Sequence, residues 1–597
     1  MSALSYRSRI NFDSDNPCIL AGPSPGSRGV FGAIGAAGEA GLKRGCTIVY
    51  TDKGTGTGVH VLYGGNPDDP DDDPVYKLDL TASTVGAAGY EADFYVDDVD
   101  LDAFPHDYPV AFKHAHSQKN PEKDWGYYTI EAIRYAFYVL NLEDNFGVKK
   151  GHKVLKTITP NNTIVISTSW SNGGKAVLLS GEDDRKGLID GLVAVEPNVG
   201  LDKHRFTIKQ GSDEEGWRTW GPKSVGWSLY DMHAYQNVYQ TCANLAPSNT
   251  DAYFLNFHQV LPNYNEIAVN RCERLLDLGL LKGSYLTGNP DTRHAELGTE
   301  AQEKLNTFAG FLTEQNLFQP VLPRLGEEVV ATYASTYGKF HVEDQLFGIS
   351  FAQVDTDRFP AAYSERDINV NMIGENLLGG GSKMMKLINN NADGGPWENY
   401  LSLNVGEDLK DGNLTAALQY YKMSIPGRTE WKRAGHKLTK AERKAYKRIQ
   451  KGIKRTVLTG RLHGKPTIMI QGRSDEVVHI NHASRAYYAR YMQRGGDDDK
   501  MAFLEVQNGH HLEMFNALLP AYGENSSYIH PYYDDAVGMM IDHLKNGTPL
   551  PGDQVVRAQI RAGDEITEDM FPPIQMNPGP DDAIVWNGAT NTLTIPE

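Results

Sequence analysis

Short runs of apolar and β-branched residues recur along the first third of the chain. Each run is followed by a glycine-rich or polar turn and then by a helical pattern; the clearest lie at residues 18–21, 47–50, 163–167 and 188–195. Strands that lack polar alternation and are separated by helices are typical of a parallel sheet covered on both faces. The pattern therefore predicts an α/β fold with a mostly parallel sheet.

The same pattern returns late in the chain, at residues 466–470 and 502–506. The long stretch between the two parts has mixed helical periodicity and no obvious strand alternation. A chain of 597 residues is also too long for one core of ordinary size. We therefore predict a discontinuous catalytic domain, residues 1–200 and 456–597, and a largely helical cap or lid, residues 201–455. The segment from about residue 553 onwards is expected to pack as an extended tail over the surface.

Charge and hydropathy exclude two classes of partner. The chain has 58 basic and 76 acidic residues, a net charge of −18, which disfavours binding to nucleic acid. No stretch approaches the ~20 apolar residues that a membrane-spanning helix needs, so no membrane partner is expected. The basic run at 432–455 is interpreted as a solvated helix face, and the acidic stretches at 66–74 and 495–499 as solvated loops. The sequence leaves the oligomeric state open.

Four cysteines give little evidence about compartment. They have no CxxC spacing, so a zinc site is not expected. Cys18 and Cys46 each open an apolar run and are interpreted as core residues, whereas a bridge between Cys242 and Cys272 stays open. The N-terminus lacks the apolar region and cleavage site of a signal peptide, so none is predicted in this chain. A cytoplasmic protein and a processed one both fit.

Ser171 is the candidate nucleophile. A serine hydroxyl is a weak nucleophile unless a sharp strand-to-helix turn presents it to a base and to donors for the oxyanion. The turn from Ser169 to Gly173 follows an apolar run and precedes a helical one, and Ser169 stands where the G-x-S-x-G motif has its first glycine. The pattern predicts the nucleophile elbow of an α/β hydrolase, in which the acid and then the base follow along the chain; the alternative is an ordinary serine turn between glycines.

The acid and the base are expected after the two late strands. Asp475 lies in a turn after the strand at 466–470, with Glu476 as the alternative acid. His511 follows the strand at 502–506, with His510 as the alternative base. In this assignment His511 accepts the proton of Ser171, and Asp475 orients the imidazole.

The remaining site residues are predicted with less detail. One oxyanion donor is the backbone N–H of Asn172, and the second is that of Ser27 or Arg28 in the early Ser24-Pro-Gly-Ser-Arg-Gly29 loop. Trp170 is expected either to line the acyl pocket or to pack under the helix, and the sequence favours neither position over the other. His114, in a His-Ala-His pair, is expected to have a structural or pocket-lining role near the oxyanion loop and not to bind a metal, because no third ligand follows at a suitable spacing. The mechanism requires neither metal nor cofactor.

Several motifs resemble one family, the D-(−)-3-hydroxybutyrate oligomer hydrolases. The resemblance covers nearly the whole chain and rests on Gly26-Ser-Arg-Gly-Val-Phe-Gly-Ala-Ile-Gly35, Gly41-Leu-Lys-Arg-Gly-Cys46, Tyr50-Thr-Asp-Lys-Gly-Thr55, His114-Ala-His-Ser117, Asn120-Pro-Glu-Lys-Asp-Trp-Gly126, Ser171-Asn-Gly-Gly174, Gly187-Leu-Ile-Asp-Gly191, Glu196-Pro197 and Gly472-Arg-Ser-Asp475. It implies hydrolysis of short 3-hydroxybutyrate oligomers downstream of polyhydroxybutyrate depolymerases, with Ser171 as nucleophile. It also implies a secreted protein, because members usually carry a longer N-terminal part with a secretion signal.

Two other functions fit parts of the sequence. An esterase with the same mechanism can act on other polyesters or on aromatic esters such as feruloyl or galloyl esters. A catalytically silent binding protein on the same fold would require a missing triad member, and all three candidates are present.

Overall fold

The computed structural model describes residues 4–7, 12–26, 30–54, 59–61, 110–112, 116, 118–252, 264–315, 323–361, 386–399, 414–511, 513, 516, 523–561 and 565–597. The chain divides into two compact units. Unit 1 comprises Met1–Ala194 with Ala362–Met385, and unit 2 comprises Val195–Ala361 with Lys386–Glu597. The division does not test the predicted cap at 201–455, which stays a prediction.

Unit 1 alternates strands and helices. Its strands are β1 (Leu4–Arg7), β2 (Cys18–Pro23), β3 (Thr47–Thr51), β4 (Val59–Val61), β5 (Val110–Phe112), β6 (Val148–Lys150), β7 (Lys153–Leu155), β8 (Ile164–Trp170) and β9 (Gly191–Val195), the last of which ends on the first residue of unit 2. Its helices are α1 (Glu39–Lys43), α2 (Trp125–Leu140) and α3 (Asn172–Asp183).

Five of these strands lie side by side in the order β1-β3-β2-β8-β9, whereas β4 pairs with β5 and β6 pairs with β7 in separate two-stranded sheets. Strand β2 pairs in parallel with β3 and β8, while β1 runs antiparallel to β3. Every residue of β2 and β3 is buried, because these runs are apolar on both faces and the sheet needs cover on both. Helices α2 and α3 provide cover and approach closely at Gly126, where a Cβ would lie 2.6 Å from the carbonyl of Leu179.

Unit 2 holds the remaining elements. Its strands are β10 (Thr207–Ser212), β11 (Gly216–Trp220), β12 (Ile349–Val354), β13 (Pro360–Ala361), β14 (Lys386–Asn389), β15 (Trp397–Glu398), β16 (Thr467–Gly472), β17 (Met501–Val506), β18 (Gln554–Val556), β19 (Val585–Asn587) and β20 (Thr592–Ile595). Its helices are α4 (Leu229–Ala243), α5 (Tyr264–Asp277), α6 (Arg293–Glu303), α7 (Pro323–Gly338), α8 (Leu414–Met423), α9 (Ile425–Arg433), α10 (Lys440–Ile453), α11 (Ser484–Gln493) and α12 (His530–Asn546).

Parallel pairing continues in unit 2, where β17 pairs in parallel with both β16 and β18. Strands β16 and β17 are buried throughout. Parallel strands joined through helices match the prediction from the apolar runs, and the α/β-hydrolase fold class is confirmed. None of the described helices is both long and apolar enough to cross a membrane.

The structure differs in two details from what the hydrophobic pattern predicts. The stretch from 201 to 455 contains strands as well as helices, including β10, whose residues are half-buried or buried in partial alternation, and the antiparallel set β13-β12-β14-β15. The C-terminal segment is also more than a surface tail. Strand β18 joins β17, and β20 pairs in parallel with β10 and buries Leu593 and Ile595 completely. These strands are short, so their periodicity is weak in the sequence.

All four cysteines are buried and bonded in pairs. Cys18 pairs with Cys46 and Cys242 with Cys272, with Cα separations of 4.7 Å and 4.9 Å. The interpretation of Cys18 and Cys46 as plain core residues was therefore incomplete. Their pairing joins the first residue of β2 to the residue before β3, which are neighbours only because the two strands pair.

Candidate active site

Ser171 lies at the turn between β8 and α3. Its backbone has φ 55° and ψ −124°, a conformation that residues other than glycine rarely adopt. Asn172 begins α3, and N–H groups in the first turn of a helix have no partner within that helix. This strained strand-to-helix turn is the geometry that the nucleophile elbow predicts.

Small residues around Ser171 allow the turn to form. A Cβ on Gly173 would lie 2.2 Å from Ser169 Oγ and 2.6 Å from the carbonyl oxygen of Pro23, so a larger residue does not fit. Ser169, which replaces the first glycine of the motif, is fully buried and donates a hydrogen bond of 2.6 Å to Pro23 O. The serine therefore fastens the end of β8 to the end of β2.

A buried ion pair fixes the helix that follows. Lys175, in the first turns of α3, donates to Glu122 across 2.5 Å, and both side chains are almost completely buried. Glu122 belongs to the Asn120-Pro-Glu-Lys-Asp-Trp-Gly126 motif, whose 3₁₀ turn leads into α2. That motif has a structural role which sequence reasoning left unassigned.

Lys53 holds the loop that was predicted to carry the second oxyanion donor. Its amino group donates to Ser24 Oγ at 3.0 Å and to Gly26 O at 2.7 Å, and lies 4.8 Å from the centre of the Trp125 ring. The side chain is completely buried. Burial lowers the pKa of this amine to about 7, although the negative charges of Asp52 and Glu122 act in the other direction and raise it. The predicted donors themselves, Ser27 and Arg28, lie outside the described residues, as does His114.

Asp475 and His511 meet in unit 2. Asp475 Oδ2 lies 3.1 Å from His511 Nδ1, and Asp475 is completely buried. The backbone N–H groups of Val477 and Val478 donate to Asp475 Oδ1, and Gln471 Nε2 donates to Oδ2. These donors fix the carboxylate so that it can orient the imidazole, which is the arrangement that general-base catalysis requires.

The turn that carries Asp475 is held on both sides. Arg473 donates to Glu505 on β17 at 2.5 Å, and Arg485 donates to the same carboxylate at 2.6 Å, all within the interior. The N–H of Ser474 donates to Gly509 O, two residues before His511. The acid turn and the histidine turn are therefore connected through their backbones.

The two alternative residues have other partners. His510 Nε2 lies 2.6 Å from Asn516 Oδ1, and burial lowers the pKa of this histidine to about 4. Glu476 accepts from the backbone N–H of His511 at 3.3 Å; burial, and secondarily the charge of Asp475, raise the pKa of Glu476 to about 7. This geometry supports Asp475 and His511 over Glu476 and His510.

Glu196, directly after β9, is a site residue that sequence reasoning missed. Its Oε2 lies 3.2 Å from His511 Nδ1, so two carboxylates face one imidazole nitrogen. Among the described residues, Glu196, Asp475 and His511 also form a group whose ligand-type atoms all lie within 4.8 Å of one another and could hold a metal ion. The position of Glu196 after a buried strand, like that of Asp475, was the available signal.

The predicted residues fall in different parts of the chain. Trp170, Ser171 and Asn172 belong to unit 1, with Trp170 and Ser171 partly exposed and Asn172 buried. Asp475 and His511 belong to unit 2 and are brought together there.

A family model described as 3HB-oligomer hydrolase (3HBOH) matches residues 8–597. The chain belongs to this family. The resemblance seen in the motifs is thereby confirmed, and this 3HB-oligomer hydrolase family member is a carboxylic ester hydrolase.

Relatives of known name agree with the family assignment. The D-(−)-3-hydroxybutyrate oligomer hydrolase of Polaromonas sp. is 35% identical over 602 residues, which cover 98% of this chain and 78% of that protein. The enzyme of the same name from Ralstonia pickettii is 33% identical over 608 residues, covering 98% and 75%. Among solved structures, feruloyl esterase B from Aspergillus oryzae matches with a TM-score of 0.34 and 10% identity, over 92% of this chain and 78% of that one.

Proposed function

We propose that this chain hydrolyses the ester bonds of short 3-hydroxybutyrate oligomers, with Ser171 as nucleophile, His511 as general base and Asp475 as the acid that orients His511. The proposed substrate is supported by the family match over residues 8–597, together with relatives named for that activity. The mechanism is supported by the strained turn at Ser171 and by the contact between Asp475 and His511.

In the first half-reaction, His511 Nε2 takes the proton from Ser171 Oγ as the oxygen attacks the ester carbonyl. The backbone N–H of Asn172 donates a hydrogen bond to the developing oxyanion, and we assign the second donor to the backbone N–H of Ser27 or Arg28. The carbon–oxygen ester bond then breaks, and the leaving alkoxide takes the proton from His511. A 3-hydroxybutyryl ester on Ser171 remains, while the shortened oligomer leaves as an alcohol.

In the second half-reaction, water attacks the acyl-enzyme while His511 removes a proton from it. The tetrahedral intermediate collapses, Ser171 Oγ recovers its proton from His511, and 3-hydroxybutyrate leaves as a free acid. Asp475 stabilises the imidazolium in both halves without taking its proton. Each cycle releases the shortened oligomer in the first half-reaction and one molecule of 3-hydroxybutyrate in the second, and no cofactor takes part.

Two further assignments belong to this proposal. Trp170, which precedes the nucleophile, contributes apolar surface for the acyl group. The proposed cap, residues 201–455, selects the length of the oligomer.

Initial rates on a defined series test the substrate. We expect the purified protein to release 3-hydroxybutyrate from the dimer and trimer, with kcat/KM on the trimer well above that on a feruloyl ester. A fluorophosphonate probe should label Ser171, as identified by peptide mass spectrometry. Labelling of Ser171 with a preference for the aromatic ester would keep the mechanism and overturn the substrate, whereas hydrolysis of oligomers without labelling would overturn the nucleophile.

A further inference from the structure

Two carboxylates face the same nitrogen of His511. Asp475 Oδ2 lies 3.1 Å and Glu196 Oε2 lies 3.2 Å from Nδ1. A Ser-His-Asp arrangement needs one acid at this nitrogen, which carries a single proton. The second acid is therefore an addition that the proposed mechanism does not use.

The backbone holds Glu196 in place at this position. Glu196 has a φ of 46°, in the left-handed region that residues with a side chain rarely adopt. Its N–H donates to Ile470 O on β16 at 2.8 Å, so the residue is fixed beside the strand that leads to Asp475. Strain of this kind persists where surrounding contacts determine it, and it is common at functional sites.

The two carboxylates are not equivalent. Asp475 receives three N–H donors, from Gln471, Val477 and Val478. Glu196 is almost fully buried, and burial, followed by the charges of Asp475, Glu513 and Glu476, raises its pKa well above its usual range. The two carboxyl groups that face His511 therefore differ in their surroundings, and Glu196 binds a proton more readily than an exposed glutamate does.

The other titratable groups around the pair come from three places. Glu476 follows Asp475 on the same turn, Glu513 and His510 flank His511, and Nε2 of His233 on α4 donates to Val477 O. Burial raises the pKa of Glu476 and of Glu513 to about 7, and lowers the pKa of His233 and of His510 to about 4. These four residues are carboxylic acids and histidines, and none of them is a permanent cation.

We propose that Glu196 is a second positioning acid for His511, which lies beside Nδ1 together with Asp475 and becomes the carboxyl partner of His511 when Asp475 is replaced by a neutral residue. The inference rests on the proposed function, in which His511 is the base. Replacing Asp475 by a neutral residue removes one of the charges that raise the pKa of Glu196, so Glu196 ionises more readily beside the imidazole. Glu196 touches neither the ester nor Ser171 in this role, and acts only through His511.

A double-mutant cycle on Glu196 and Asp475 tests the proposal. In a triad with one acid, replacing aspartate by asparagine lowers kcat by about 10⁴. We expect Asp475→Asn to lower kcat on the trimer by only about 10², Glu196→Gln alone by less than about fivefold, and the double variant by about 10⁴, with KM nearly constant. The exposed Glu215→Gln serves as the matched control, with wild-type rates.

The pH profile separates a positioning role from a structural one. In Asp475→Asn, kcat should rise with pH in two parts, one from deprotonation of the base His511 and one from ionisation of Glu196, and only the part due to His511 should remain in the double variant. The proposal would be overturned if Glu196→Gln lowered kcat by the same factor in the wild type and in Asp475→Asn. It would also be overturned if Asp475→Asn alone were already as slow as the double variant. If Asp475→Asn does not fold, Asp475→Ser replaces it in both arms, because a hydroxyl can accept the N–H of Val478.

Failure of the proposed function gives a different result. The rate of fluorophosphonate labelling at Ser171 reports activation of the nucleophile without any oligomer substrate. If wild-type protein does not react at Ser171, the mechanism itself is wrong. If it reacts and labelling in the four proteins of the cycle shows no dependence on Glu196 once Asp475 is replaced, only the second acid is wrong.

Discussion

Ser171 and Lys53 are two residues of unit 1 whose local contacts matter for the proposed mechanism. Ser171 is held in a strained conformation that Gly173 makes possible, since a Cβ there would contact Ser169 Oγ at 2.2 Å. Lys53 uses a fully buried amine to fasten Ser24 and Gly26 at the start of the proposed oxyanion loop. Burying an amine is unfavourable, so a structural gain at the loop is the expected compensation.

Lys53→Met tests the tether at the residue scale. Methionine fills a similar volume and cannot donate to Ser24 or Gly26, so the loop loses its anchor. A displacement of the donors by about 1 Å is expected to lower kcat on the trimer by roughly 10- to 100-fold with little change in KM. The exposed Lys43→Met should behave as wild type. A kcat for Lys53→Met equal to that of the control would contradict the role of the tether.

At the scale of elements, the sequence located the strand ends at which the proposed catalytic residues lie. Ser171 after β8, Asp475 after β16 and His511 after β17 were all predicted from an apolar run followed by a turn, and the structure brings Asp475 and His511 to 3.1 Å. Glu196 follows β9 in the same way but was missed. Its contact with His511 depends on three-dimensional pairing, such as Glu196 N to Ile470 O, which no local pattern encodes.

The buried acids at these strand ends make stability depend on pH. Burial raises the pKa of Glu476 from 4.5 to about 7, so the folded state binds more protons than the unfolded state between these values. The contribution of Glu476 is fully present below pH 4.5 and is lost as pH rises through about 7. Glu476→Gln should therefore reduce the fall in unfolding free energy over this window, by roughly 3 kcal/mol at most.

Urea unfolding at several pH values between 4 and 8 measures this effect. Glutamine can still accept the N–H of His511, so the variant changes charge more than contacts. Exposed Glu568→Gln is the control and should follow the wild-type curve. Parallel curves for wild type and Glu476→Gln would show that this carboxyl is not neutral in the folded protein.

At the scale of the whole molecule, two buried disulfides constrain the chain, one in each unit. Composition left the Cys242–Cys272 bridge open and did not suggest Cys18–Cys46, because connectivity depends on which strands and helices become neighbours. Disulfides of this kind are typical of oxidising compartments. For the same reason, the sequence did not reveal several strands that pair with partners distant along the chain. These are the strands at 207–212 and 349–354 and those of the C-terminal segment.

Removing one bridge should destabilise the protein measurably. Cys242 and Cys272 are 30 residues apart, and opening a loop of that size is expected to cost about 3–4 kcal/mol. Cys242→Ala/Cys272→Ala should therefore unfold at lower temperature than wild type, and reductant should lower the transition of both proteins because Cys18–Cys46 remains. Four reactive thiols in native, non-reduced wild-type protein would contradict both bridges.

The central claim is that Ser171 attacks the ester of 3-hydroxybutyrate oligomers, and replacing its hydroxyl tests it most directly. The rate of 3-hydroxybutyrate release from the trimer is measured for wild type, Ser171→Ala and the exposed-serine control Ser248→Ala. We expect Ser171→Ala to lose activity by at least about 10⁴ with an unchanged thermal transition, and Ser248→Ala to match wild type. Folded Ser171→Ala that releases 3-hydroxybutyrate at a rate within tenfold of wild type would contradict the account.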